Sequence, residues 1–304
     1  MVWGWQIAWY LFLGGLGAGA TLTSLLASRA GPRVGPRVGT IERAGATLAG
    51  PSVAFGTALL VLDLGIGRGE PWRLVYLYLN WESPMTWGTW ILTLFIPIAL
   101  LHSLSITGPL SPRWERPIAP LRRAAVRARG ALKVVAGALA LSTAIYTGVL
   151  LSVPPSFPLL SSWLLPVLFL LSALSTGMSA AVVSGYVLAR RERAEFDLCS
   201  WSRIHIGLVV MELVVLFAWL TLGAGSQAGG DSVQLLTSGA LAPVFWVVVV
   251  FGGLVAPVLA HIATATNGNS QVALAGEAGV LAGGLALRYL VLLAAVPVLI
   301  GPAL

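Results

Sequence analysis

The stretch IAWYLFLGGLGAGATLTSLLAS, Ile7–Ser28, decides the fold, because it passes without one carboxylate, imidazole, amine or guanidinium. At 1.5 Å per residue, a helix of about 20 residues crosses the roughly 30 Å hydrocarbon core of a bilayer. Seven further apolar runs follow, near Gly45–Ile66, Thr86–Thr107, Leu132–Ser152, Trp163–Ala189, Ile204–Gly223, Leu241–Ala263 and Ala278–Ile300. Continuous runs of this length predict helices, since the strands of a membrane barrel would alternate over about ten residues. The expected fold class is all-α: a polytopic membrane protein with eight transmembrane helices.

Composition agrees. The 304 residues are 57% hydrophobic and 10% charged, whereas a soluble domain carries about 25% charge, so a conventional soluble enzyme is excluded. The net charge of +7 does not describe a nucleic-acid surface, because fifteen of the eighteen Lys and Arg fall in three connections. These are Arg29 to Arg43, Arg113 to Lys133, and Arg190 to Arg203. Short cytoplasmic loops are enriched in Lys and Arg, which predicts those connections inside the cell and both termini outside. The chain is expected in a prokaryotic cytoplasmic (inner) membrane. Its first span should be a retained anchor, because the basic residues follow the apolar run rather than precede it.

The same residues exclude several cofactors. A single cysteine, Cys199, cannot ligate an iron–sulfur cluster alone. His102, His205 and His261 map to the inner ends of spans 3, 6 and 7, and three imidazoles at one depth cannot build a two-haem wire. The only lysine, Lys133, lies at a helix start near the cytoplasm, which excludes a mid-membrane retinal Schiff base. No haem or cluster is expected in this chain.

GGLGAG at Gly14–Gly19 in span 1 aligns without gaps to SALSTG at Ser172–Gly177 in span 5. Four helices per half would give both halves one orientation, so residues 1–152 and 153–304 read as two four-helix bundles. Small residues that permit close helix packing explain either motif singly.

Ionisable residues within lipid are functional candidates by default. Asp63 lies at the outer end of span 2, and Glu82 precedes span 3 beside Trp81 and Trp87. Trp9 and Tyr10 lie near the outer end of span 1, with Tyr146 about two turns inside that of span 4. Because odd and even spans run in opposite directions, these residues reach one depth and could line one pocket. Aromatic walls with phenol and carboxylate tips suit a quinone headgroup, whose two oxygens need hydrogen-bond partners and whose turnover moves protons. The alternative is that the aromatics anchor the interface and Asp63 neutralises Arg68 or Arg73. Deeper in, Glu212 and Arg288 sit near the middles of spans 6 and 8 and should pair, either as a structural bond or as stations for proton transfer.

Several stretches together resemble the NrfD/PsrC family of polysulfide-reductase-type membrane subunits: YLFLGGLGAGA at Tyr10–Ala20, LDLG at Leu62–Gly65, ESPMTWGTW at Glu82–Trp90, YTGVLLS at Tyr146–Ser152 and LPVLFLLSALSTG at Leu165–Gly177. The resemblance implies two four-helix bundles and a menaquinone or ubiquinone site near the outer surface. It also implies a ferredoxin-like iron–sulfur partner, often with a molybdopterin catalytic subunit, so that this chain is not catalytic alone. By it, Tyr10, Asp63 and Tyr146 are site residues. The family's D-x-G-R appears here as Asp63-Leu-Gly-Ile-Gly-Arg68, with two extra residues before the arginine. The rival reading is a secondary transporter, motivated by the repeat, by Glu212 and Arg288, and by spans 3 and 7 carrying Pro97 and Pro257.

Overall fold

The computed structural model describes residues 4–34, 39–63, 71–108, 112–192, 199–267 and 270–297. Among them there is no strand, and eight helices are long and apolar enough to cross a membrane. Spans 1 to 4 are Trp5–Arg29, Gly39–Asp63, Pro84–Ile106 and Arg129–Ser152; spans 5 to 8 are Leu164–Glu192, Trp201–Gly223, Ala242–Ala265 and Gln271–Leu293. The chain is a multi-pass membrane protein.

Pro97 lies within an unbroken span 3. Span 7 runs as a π-helix over Phe245–Val255 and continues as α-helix over Ala256–Asn267. The wider turns before Pro257 accommodate a ring that would otherwise crowd the carbonyl one turn back. Neither proline breaks its helix.

Span 8 differs from expectation. It begins at Gln271 rather than Ala278 and ends at Leu293, and the expected end at Ile300 lies outside the described residues. The added residues bring Glu277 into the span, and an unpaired carboxylate is costly in hydrocarbon. Here its side chain is 1% exposed and meets two imidazoles from spans 6 and 7, which removes the reason to place it in water.

Spans 1 and 5 have the largest buried shares and form the centre, span 1 touching spans 2, 4, 5 and 8, and span 5 touching spans 1, 2, 4, 6 and 8. Lipid gives apolar helices little reason to associate, so close backbone approach and polar contacts must hold them together. Gly19 and Gly177 supply that approach. A Cβ on Gly177 would overlap the Gly19 backbone, and one on Gly19 would overlap the Ala173 carbonyl. These glycines hold equivalent positions in GGLGAG and SALSTG.

On the arginine-rich side, Glu42 at the start of span 2 pairs with Arg129 (2.9 Å) and Lys133 (3.5 Å) of span 4. Its neighbour Arg43 grips Glu192 at the end of span 5 through both carboxylate oxygens, at 2.8 and 2.5 Å. At the opposite ends of spans 1 to 4, a short 3-10 helix, Pro71–Tyr78, lies between spans 2 and 3 and packs on span 3.

Candidate functional site

The ends of spans 1 to 4 remote from the arginine-rich loops enclose a cavity of about 180 Å³. Span 1 contributes Tyr10, span 2 Thr57 and Leu60, span 3 Met85, Gly88 and Leu92, and span 4 Tyr146 and Leu150; Leu74, Leu77 and Tyr78 of the 3-10 helix close one side. An adjoining cleft of about 430 Å³ shares Tyr10, Leu60, Met85 and Leu150 and adds Ile7, Asp63 and Pro84.

The polar atoms of this lining divide sharply. Thr57 donates to the Val53 carbonyl at 2.8 Å and Thr89 to the Met85 carbonyl at 2.9 Å, while the Tyr78 hydroxyl pairs with Thr93 at 2.8 Å. The Tyr10 hydroxyl has no hydrogen-bond partner although the residue is fully buried. A buried hydroxyl without a partner costs about 1–3 kcal/mol, and Tyr10 is a lining residue of both the cavity and the cleft. Tyr146 is also buried, and Gly88 explains its position: a Cβ at residue 88 would collide with the Tyr146 ring and hydroxyl.

Tyr10 and Met85, the latter from the ESPMTWGTW stretch, border both spaces, Tyr146 lines the cavity, and Asp63 lines the adjoining cleft. Trp9, Glu82 and Trp87 are not among their lining residues. Trp9 is partly exposed and meets Phe12 edge-on, with ring centroids 6.2 Å apart. The exposed Trp87 donates its indole N–H to the Trp81 carbonyl at 2.8 Å, and Glu82 is exposed beside them. Arg68 and the Arg73 side chain, the expected neighbours of Asp63, lie outside the described residues.

The 3-10 helix and Tyr78 were missed by reading the sequence alone. Their signal was present, because Leu74-Val75-Tyr76-Leu77-Tyr78-Leu79 is too apolar for a solvated connection. Tyr78 packs edge-on against Trp90 at 5.3 Å, and Trp90 stacks on Trp81 at 6.0 Å.

Glu212 and Arg288 are both buried but form no direct ion pair within 4 Å, which corrects the expected pairing. Instead, the Ser175 hydroxyl donates to Glu212 Oε2 at 2.6 Å, and Arg288 Nη1 donates to the Ser172 hydroxyl at 3.0 Å. The two serines stand one turn apart on span 5, so the opposite charges meet through hydroxyls. Arg288 is drawn elsewhere: it donates to the carbonyls of Leu11 (3.2 Å) and Gly284 (2.8 Å), and its guanidinium lies over Phe12 and Phe169 at 5.7 and 5.5 Å. Through Leu11 it touches the backbone next to Tyr10. The void beside Glu212 is only about 10 Å³.

The histidines separate. His102 is buried with neither ring nitrogen partnered, whereas His205 and His261 converge on Glu277.

The arrangement thus defines a membrane protein of eight spans with an apolar cavity at one face and fixed polar clusters in its interior. Residues 1–299 match the family described as Polysulphide reductase, NrfD, and the chain belongs to that family. The relative named as the C chain of the polysulfide reductase of Wolinella succinogenes is 32% identical over 97% of this protein and 94% of its own length. Protein NrfD of Escherichia coli is 28% identical, covering 97% and 95%, and an NrfD homologue of Haemophilus influenzae is 26% identical, covering 86% and 84%.

Proposed function

We propose that this chain is the quinone-reactive membrane subunit of a multi-subunit oxidoreductase, exchanging electrons between the quinone pool and a ferredoxin-like iron–sulfur subunit on the outer face, with a molybdopterin subunit completing the assembly. The observation that carries the reading is the Tyr10 hydroxyl, buried and unpartnered in the wall of an apolar cavity. An apolar recess with a few convergent polar groups is the usual form of a small-molecule site. Membership of a family in which one relative is named as part of polysulfide reductase adds support.

Menaquinone or ubiquinone, when bound, supplies a two-electron, two-proton couple. Tyr10 and Tyr146 orient the headgroup through their phenolic hydroxyls. Leu60, Met85 and Leu150 exclude water from the shared wall. Asp63 accepts or releases protons at its carboxylate oxygens, in the cleft next to the tyrosines. Glu212 and Arg288, joined through Ser172 and Ser175, hold charge in the second half of the chain and serve as further stations for proton transfer. The reading includes a division into residues 1–152 and 153–304, which the abutting, equivalent glycines Gly19 and Gly177 support. The transporter alternative loses one motive, because spans 3 and 7 run unbroken through their prolines.

The test is quinol:acceptor turnover of the assembled complex. Tyr10→Phe combined with Asp63→Asn is expected to lower kcat/KM at least about tenfold. Unchanged turnover and unchanged quinone affinity would remove the site.

A further inference from the structure

On the arginine-rich side, remote from the cavity, a second constellation has no part in the quinone site. His205 lies one turn into span 6, His261 one turn before the end of span 7, and Glu277 near the start of span 8. All three side chains are at most 3% exposed. His205 Nδ1 stands 3.1 Å from Glu277 Oε1, His261 Nε2 stands 3.3 Å from the same oxygen, and the two nitrogens are 3.2 Å apart.

We infer that His205, His261 and Glu277 form a binding site for a divalent transition-metal cation of the zinc type, which ties the ends of spans 6, 7 and 8 together. Three atoms held at about 2.0–2.1 Å by one tetrahedral ion stand about 3.3 Å from each other. The observed triangle has edges of 3.1, 3.2 and 3.3 Å. Two imidazoles and a carboxylate leave the fourth position for water.

Two further observations favour a cation over a closed hydrogen-bond network. Metal-bound imidazoles bond a second group through their other nitrogen, which fixes tautomer and ring orientation. Here His261 Nδ1 lies 3.0 Å from the Ser202 hydroxyl and His205 Nε2 lies 3.4 Å from that of Ser179. In addition, both inward-facing nitrogens converge on one carboxylate oxygen, while Glu277 Oε2 is buried with no partner. A carboxylate solvated only by hydrogen bonds would spread its donors over both oxygens. Neutral imidazoles would leave its charge uncompensated in the interior, which costs several kcal/mol for an ion of this kind; a divalent cation bound by the nitrogen lone pairs compensates it, as would a protonated His205, and the metal count distinguishes the two.

The inference does not depend on the quinone reading. The test uses the full chain, purified in detergent without a histidine tag, stripped with a chelator, reloaded with Zn²⁺ or Co²⁺ and desalted. Mass spectrometry should count one equivalent per chain, and the cobalt form should show the intense visible absorption of four-coordinate Co²⁺. Chelation should lower the melting temperature and Zn²⁺ restore it. His205→Ala with His261→Ala abolishes both signals. Should that variant not fold, Ser202→Ala decides, because its hydroxyl meets the outward nitrogen of His261 and not the inward one: metal affinity should fall about 10- to 100-fold. A reloaded chain that keeps less than about a tenth of an equivalent overturns the inference and makes the cluster protonic. Metal that survives both substitutions overturns it as well, since it is then bound elsewhere.

Discussion

Two regions of this molecule solve opposite problems. Around Tyr10 and Tyr146 there is room and almost no charge, in a cavity of about 180 Å³ with an adjoining cleft of about 430 Å³. Around Glu212 and Arg288 there is charge and almost no room, the nearest void being about 10 Å³. A bulky apolar guest fits only the first region. The second admits nothing larger than a water molecule, and its charged groups are held by serine hydroxyls, backbone carbonyls and aromatic faces, with Arg288 Nη2 alone of the guanidinium nitrogens left without a partner. The difference teaches where a ligand and where a fixed charge belong, and substitutions can push one region towards the character of the other.

The largest effect is expected at Arg288. Arg288→Met removes a buried cation, deprives the helical Leu11 and Gly284 carbonyls of a second donor and the Ser172 hydroxyl of its guanidinium partner, and leaves Glu212 uncompensated. Breaking such an arrangement from one side costs about 3–5 kcal/mol. A thermal melt should fall by about 10 °C. If the serine turn couples the charges, Glu212→Gln in the same chain recovers part of the loss, and the double-mutant cycle shows a coupling of about 0.5–3 kcal/mol. Strict additivity would break the serine link.

Next comes Gly88→Ala in the roomy region. The new methyl would overlap the Tyr146 ring, which must swing into the cavity. Displacement of a binding group by about 1 Å is worth roughly a hundredfold in rate, so kcat/KM for quinol should fall by about that factor while membrane insertion is unchanged. A fully active Gly88→Ala complex would show that Tyr146 does not need its present position.

These predictions also mark what the sequence could and could not disclose. Span number was legible because eight long apolar runs leave hydrocarbon as the only solvent that fits them. That Tyr10, Tyr146 and Asp63 lie at one side of the protein was legible, because depth follows from counting residues along antiparallel helices. Rotation about each axis was not. A membrane helix is apolar all round, so periodicity does not tell its lipid face from its interior face; hence Trp9 and Trp87 share the depth of Tyr10 yet do not line its cavity. Glu277 was hidden for another reason. Whether a carboxylate can enter a span depends on partners far away in sequence, here His205 and His261, and no local window contains them.

The smallest expected change in stability is the most discriminating for function, because its two readouts move apart. Tyr10→Phe deletes one hydroxyl from a fully buried side chain that gives that hydroxyl no partner. A structural tyrosine would lose stability on truncation. This one should keep its melting temperature or gain slightly, since an unsatisfied buried hydroxyl costs about 1–3 kcal/mol and the ring that fills the space remains. Quinone affinity should fall about tenfold over the same substitution, the worth of one hydrogen bond to a bound headgroup. A destabilised Tyr10→Phe chain with unaltered affinity would place this residue with the packing elements of span 1, and the roomy end of the molecule would lose the buried hydroxyl that it keeps free for a guest.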